Sequence, residues 1–219
     1  MFVDELTIDI DLVTAKERIS VKTGDIKALE LRLEPWGFTG SAELWMWGEE
    51  TKDDPFFEHF VAHDPLTIEV ALGIPEESKD KLSLSALVSS RCLEEQAFEE
   101  LSDAKILVRR YTLSFEDRGA ALWRQHFPSV LETDVTLEEE INRQLPTDVK
   151  VQLDWSFLQQ KRALLCLALG GHGPSFYDFL LWTTDAYDGV FAYDYDDKSY
   201  LLASKKPAQG KEVKLRGED

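Results

Sequence analysis

The sequence predicts a mainly β protein of the α+β class, with an all-β first half and a smaller second half in which strands and helices mix. Three observations carry this. Apolar residues alternate with polar ones through the first 115 positions, the period of a half-buried strand. Two Ser/Thr-led capping signals appear only after that point. The length of 219 residues fits one or two domains, and 43% hydrophobic content is too high for a disordered chain. The expected division is a first domain over 1–115, a second over 116–205, and a polar tail or linker over 206–219.

The first strand signal is Leu6, Ile8, Ile10 and Leu12, which alternate with acids or Thr. Leu29, Leu31 and Leu33 repeat the pattern until Pro35-Trp36-Gly37 ends it. Ala42, Leu44 and Met46 form one face of the next strand, and Trp45 and Trp47 the other. Leu66, Ile68, Val70 and Leu72 alternate up to the turn Gly73-Ile74-Pro75, and Leu82, Leu84, Ala86 and Val88 follow. Leu107, Tyr111, Leu113 and Phe115 share a face that Arg109 interrupts. Short alternating strands with turn signals between them suggest a sheet closed on itself or a sandwich. Closure would also remove the edges that invite aggregation.

Beyond Phe115 the pattern changes. Residues 119–126 predict a short helix, with Pro128 just past its end. Thr136-Leu137-Glu138-Glu139 is a capping box, and Leu137, Ile141 and Leu145 then line one helical face until Pro146. Val149, Val151, Leu153 and Trp155 alternate as a strand. The apolar run 163–169 suits a buried strand or a short helix, and its length and the following glycines favour the strand. Ser175 caps a helix that carries Phe179, Leu180 and Trp182. Residues 190–195 and 200–203 flank Asp196-Asp197-Lys198-Ser199 as a β-hairpin.

The charge balance excludes whole function classes. With 24 Lys and Arg against 42 Asp and Glu, the formal charge is −18. Residues 1–115 hold two acids for every base, and residues 116–219 three for every two. Phosphate backbones are bound by Lys and Arg that release counterions, so nucleic acid is not an expected partner. Anionic membranes are disfavoured for the same reason, and no apolar run approaches the 18 residues of a membrane span. The start, MFVDELTIDIDLV, lacks the basic and apolar regions of a signal peptide. Cys92 and Cys166 are far apart and in no CxxC pattern, which predicts free thiols.

No segment carries a strong catalytic or metal-binding motif. His59 and His63 are four apart but belong to no HExxH pattern, and surface histidines explain them. Gly170-Gly171-His172-Gly173 precedes a helix without the Lys-Ser/Thr of a phosphate loop, and fits a strand-to-helix turn. Asp194, Asp196, Asp197 and Ser199 faintly resemble a calcium loop, but Ser199 and Lys205 stand where that loop needs Gly and Glu. Glu138, Glu139 and Glu140 suit a helix N-terminus by charge alone. No GxSxG elbow is present. No cofactor and no enzymatic activity are therefore expected.

The second half has a recognisable order: YTLSFED at 111–117, ALWRQHFPSV at 121–130, the capped helix with Leu137 and Ile141, a strand ending at Gly171, SFYDFL at 175–180, and DGVFAYDY at 188–195 with a closing strand over 199–203. It resembles the N-terminal hub region of the VgrG spike proteins of type VI secretion and of the related late-control D proteins of contractile phage tails. The resemblance covers 105–205 best, and the first 100 residues agree in layout. Gly173-Pro174-Ser175 replaces the family's Glu-Ser-Asp, and 181–185 replaces its Arg-Leu-x-Glu-Glu run. These departures suit a divergent relative or a component of another contractile system.

The resemblance implies a β-barrel-like tube domain followed by an α+β domain, in a structural hub subunit that joins inner tube to spike. It implies a homo-trimer, with inner-tube protein and spike components as partners. It places the protein in the cytoplasm during assembly, with export as part of the apparatus. The family hub continues through further domains, so 219 residues correspond to a fragment or to a short relative that needs partner chains. Trp36, Trp45, Trp47 and Phe56 are the candidate interface anchors. The alternative is a small-molecule or peptide-binding module with an aromatic-lined pocket. A third reading, a carboxylate-dependent hydrolase, requires two acids converging in a cleft with their pKa values pushed apart.

Overall fold

The computed structural model describes residues 7–49, 54, 56–62, 64–73, 81–98, 106–168 and 173–204. Leu6 of the first alternating run, the turn at Ile74-Pro75, His63, the glycine turn at 170–172 and the tail from 205 onward lie outside them.

Seven strands make the first half: β1 (Thr7–Val13), β2 (Arg18–Val21), β3 (Ile26–Glu34), β4 (Gly37–Glu49), β5 (Thr67–Gly73), β6 (Leu82–Phe98) and β7 (Ile106–Asp117). They form one sheet in the order β2-β1-β5-β6-β7-β4-β3, and every pairing is antiparallel. The outermost strands, β2 and β3, are neighbours in sequence, joined by residues 22–25. That link contains a 3-10 turn at Thr23–Asp25. Fully extended it spans about 17–19 Å. Seven flat strands would hold the two edges about 29 Å apart. The sheet is therefore curled into a half-barrel. Register shifts in β3 at Ile26/Ala28 and in β6 at Val88/Ser90 bend the strands further.

The alternation read from the sequence is the inward face of this curl. Ile10, Leu12, Ala42, Leu44, Ile68, Val70, Leu84, Ala86, Tyr111 and Leu113 are at most 2% exposed and belong to one cluster. Two expectations differ from what is seen. The sheet is curled but not closed: β2 and β3 do not pair. On the edge strand β3, Leu29 and Leu31 are only half-buried and Leu33 is exposed, because among the described residues no strand lies beyond them.

One end of the half-barrel is plugged by α1 (Phe57–Val61), a short helix that the sequence pattern does not announce. Phe56 and Phe60 insert against Tyr111 with ring centroids 4.9 and 4.8 Å away. Asp54, just before the helix, meets Arg109 of β7 at 3.1 Å and accepts the Tyr111 hydroxyl. Arg109 does not interrupt its inward face after all. Its guanidinium lies 4.0 Å over the Phe57 ring and also reaches Glu95 at 2.8 Å. Burial, and then the Asp54 carboxylate, push the Tyr111 phenol well above its ordinary value.

The second half combines three helices with short strands. Helix α2 (Arg118–Trp123) leads to β8 (Ser129–Glu132), β9 (Val135–Thr136) and α3 (Leu137–Arg143), whose Thr136–Glu139 capping box is formed. Strand β10 (Lys150–Asp154) runs parallel to β14 (Ser199–Ala203), which pairs antiparallel with β13 (Val190–Asp194). Two separate antiparallel ribbons pair β9 with β11 (Lys161–Arg162) and β8 with β12 (Leu165–Ala168). Helix α4 (Phe176–Ala186) starts at a Ser175–Asp178 capping box. The run expected as a buried strand, β12, is half of a ribbon, so Leu167 is inside while Cys166 and Leu164 are exposed. Trp123, Phe176, Leu180, Tyr200 and Leu202 centre a second cluster, and Tyr193 packs on both.

The two clusters meet at Asp117. This residue ends β7 and caps α2: its carboxylate accepts the Ala120 N–H at 2.9 Å and the Phe38 N–H at 3.4 Å. Ala120 N–H also donates to the Tyr200 hydroxyl at 3.1 Å. Gly37, at φ 143°, lies so close that a Cβ there would strike the Asp117 carboxylate, and a Cβ on Gly119 would strike the Tyr200 ring. From the second half, Tyr193 N–H donates to Pro35 O at 2.7 Å. The Tyr195 hydroxyl accepts from Glu34 N–H at 3.0 Å and reaches the carbonyls of Glu34 and Gly37 at 2.7 and 2.6 Å. Burial raises the Asp117 carboxyl to about 6, against the two N–H donors that favour its charged form.

Two predictions follow from these buried charges. Asp54→Ala leaves Arg109 buried without one of its carboxylates and should cost about 3 kcal/mol in urea unfolding. Asp54→Ala combined with Arg109→Met should cost less than the sum of the single changes; strict additivity would mean the pair is uncoupled. For Asp117, the folded pKa lies above the ordinary 3.8. Its contribution is thus fully favourable below about pH 4 and is lost as pH rises through about 6. Asparagine keeps the cap but does not titrate. Wild-type stability measured against Asp117→Asn should fall by on the order of 2 kcal/mol between pH 4.5 and pH 7.5. A flat or opposite difference would show that Asp117 is solvated.

Candidate assembly surface

The outer face of the half-barrel carries an aromatic patch. Inward residues of β4 are even-numbered, so Glu43, Trp45 and Trp47 point out. Strand pairing sets Trp45 beside Arg110, which has Glu94 on its far side, and Trp47 beside Val108, which has Gln96 on its far side. Val108 faces outward yet is only 8% exposed because this platform covers it, while Trp47 is 55% exposed. The patch borders a shallow groove of about 470 Å³. Arg110 bridges Glu43 at 2.8 Å and Glu94 at 3.4 Å, and the Trp45 indole N–H donates to Glu43 at 2.6 Å. Arg110 first, and then Trp45, hold the Glu43 carboxyl below its ordinary range.

The four candidate anchors are thus placed very differently. Trp47 and Trp36 are exposed, the latter on the turn between β3 and β4. Trp45 is half-buried in the platform. Phe56 is fully buried between Phe60 and Tyr111 and presents nothing to a partner. Its position before an unannounced helix hid this from the sequence reading.

Other exposed apolar side chains lie on the second half. They include Leu131, Leu164, Trp182 and Tyr187. Rings run in contact from Phe179 through Trp182 and Tyr187 to Phe157, where the Arg162 guanidinium lies 4.5 Å over the face. Trp182 was legible in principle: the buried stripe of α4 is Phe176, Phe179, Leu180 and Thr183, and position 182 falls off it.

The weaker motifs resolve locally. His59 is bonded to Glu17. Asp194 accepts the N–H groups of Asp196 and Asp197 at 2.9 and 3.1 Å, a turn-stabilising pattern. Glu139 closes its capping box, and buried Glu140 is held by Gln144 and Arg143. Among the described residues no three metal-binding side chains converge, and no helix is long and apolar enough to cross a membrane.

No protein-family model matches the sequence, and no curated protein does. Solved structures do share its fold. A chain of the half-lidded PdpA–VgrG complex of Francisella superposes with a TM-score of 0.73 at 15% identity, covering 93% of this chain and 32% of that one. The lidded form of the complex gives 0.70 at 16% identity, covering 98% and 30%. The 43 kDa tail protein of prophage MuSo2 from Shewanella oneidensis gives 0.51 at 12% identity, covering 89% and 54%. The chain spans about a third of the Francisella chains it matches and about half of the tail protein. A curled, mainly β half-barrel followed by a small α+β unit is therefore a fold found in a VgrG complex and in a phage tail.

Proposed function

We propose that this chain is a structural subunit of a contractile injection machine, a hub-type component that joins inner tube to spike. The observation that carries the reading is the match of nearly the whole chain, 93%, to one chain of a PdpA–VgrG complex. On this reading the first cluster belongs to a tube-type domain over 1–115 and the second to an α+β domain over 116–205. The work is shape and assembly. Among the described residues the half-barrel keeps two unpaired edges, β2 and β3, and exposed apolar side chains at Leu33 and Trp36 beside the second of them. Unpaired edges and exposed aromatics are what closed oligomers bury. A homo-trimer with tube and spike partners is the assembly proposed, with the chain made in the cytoplasm and exported with the apparatus.

Light scattering on the purified chain, alone and mixed with the tube and spike proteins of its own organism, tests this. A three-fold assembly, or a stable complex with either protein, is expected. Trp36→Ala should weaken it while changing unfolding stability by no more than about 0.5 kcal/mol, as an exposed substitution does. A strict monomer that binds neither protein at high concentration would overturn the reading.

A further inference from the structure

The geometry points to the Trp45–Trp47 face as a docking surface for a basic, apolar segment of a different protein. This does not depend on the hub reading and requires no ring.

The face combines two recognition chemistries. Trp47 offers an open indole face beside the covered Val108, a platform for an aliphatic side chain or for a cation. Its rim is acidic. The Glu94 side chain is 66% exposed, and Glu43 lies at the other end. Arg110 is the single base among these groups and is divided between Glu43 and Glu94, so the rim keeps a net negative charge. A lysine or arginine whose aliphatic stem lies on Trp47 can reach Glu94 with its charged head, which satisfies both chemistries at once.

Charge also decides against a second copy. Setting this face against itself would oppose carboxylate to carboxylate, which costs affinity and suppresses the pairing. A basic partner has the opposite effect and gains speed of encounter from the whole acidic surface.

The test uses the intact chain and two acetylated, amidated hexapeptides, one alternating lysine with valine and one alternating glutamate with valine. Tryptophan fluorescence gives affinity. The NMR signal of the Trp45 indole N–H, fixed by Glu43, reports the site. The lysine peptide should bind saturably and shift that signal, with the glutamate peptide at least about tenfold weaker, a difference of 1.4 kcal/mol. Trp47→Ala should weaken lysine-peptide binding about three- to fivefold or more. Glu94→Gln should weaken it and flatten its dependence on salt. Trp182→Ala, on the other half of the molecule, should change nothing. Equal binding of the two peptides, no binding at millimolar concentration, or indifference to Trp47→Ala would overturn the proposal. So would self-association abolished by Trp47→Ala, which would assign the face to a second copy. Mass measurements read the ring and titrations read this face, so either idea can fail alone.

Discussion

The four residues between β2 and β3 constrain the rest of the molecule. They tie together the first and last strands of a seven-stranded sheet across a distance that a flat sheet would exceed. Every inward side chain then has a far wall to pack against. Without the curl, Leu12, Leu44, Ile68 and Leu113 would line an open surface. With it they are sealed, each contributing about 1.5–3 kcal/mol of burial. The curl also leaves an open end, and Asp54 together with residues 56–60 fills it. A barrel mouth is a costly place to put a charge, yet Asp54 and Arg109 sit there as a hydrogen-bonded pair. Paired charges of this kind add little net stability but penalise wrong arrangements heavily.

What could be read from the sequence follows from how local each signal is. Alternation in β1, β4 and β5, and the capping boxes at Thr136 and Ser175, involve residues within a few positions of each other, and their patterns were plain. The plug was hidden. Phe56 and Phe60 match no strand period, helix α1 has only five residues, and Asp54 finds Arg109 fifty-five positions away. Asp117 carries no local signal of its role; only the fold brings Phe38, Ala120 and Tyr200 around it. Leu33 was expected inside because alternation reports which face a residue takes, and says nothing about whether a neighbouring strand exists to cover it.

The surface shows the same limit. Trp36, Trp45, Trp47 and Phe56 were equivalent as aromatic residues in the β-rich half. Pairing register separates them: two odd-numbered β4 positions form the platform, one residue rides a turn, and one is core. The acidic excess of the first half acquires a location as well, since Glu43 and Glu94 edge that platform across three strands.

The Tyr193–Tyr195 contact with the β3–β4 turn has a mechanical meaning. The second half leaves the first through the peptide chain at Asp117 and grips it again through the backbone at Pro35 and the Tyr195 hydroxyl. A body hung from a single strand can swivel about it. A body also held by the Phe38 ring against Tyr193 and Tyr195, and by Lys198 on Ser83, cannot, and load applied to either half passes to the other instead of being lost as free rotation.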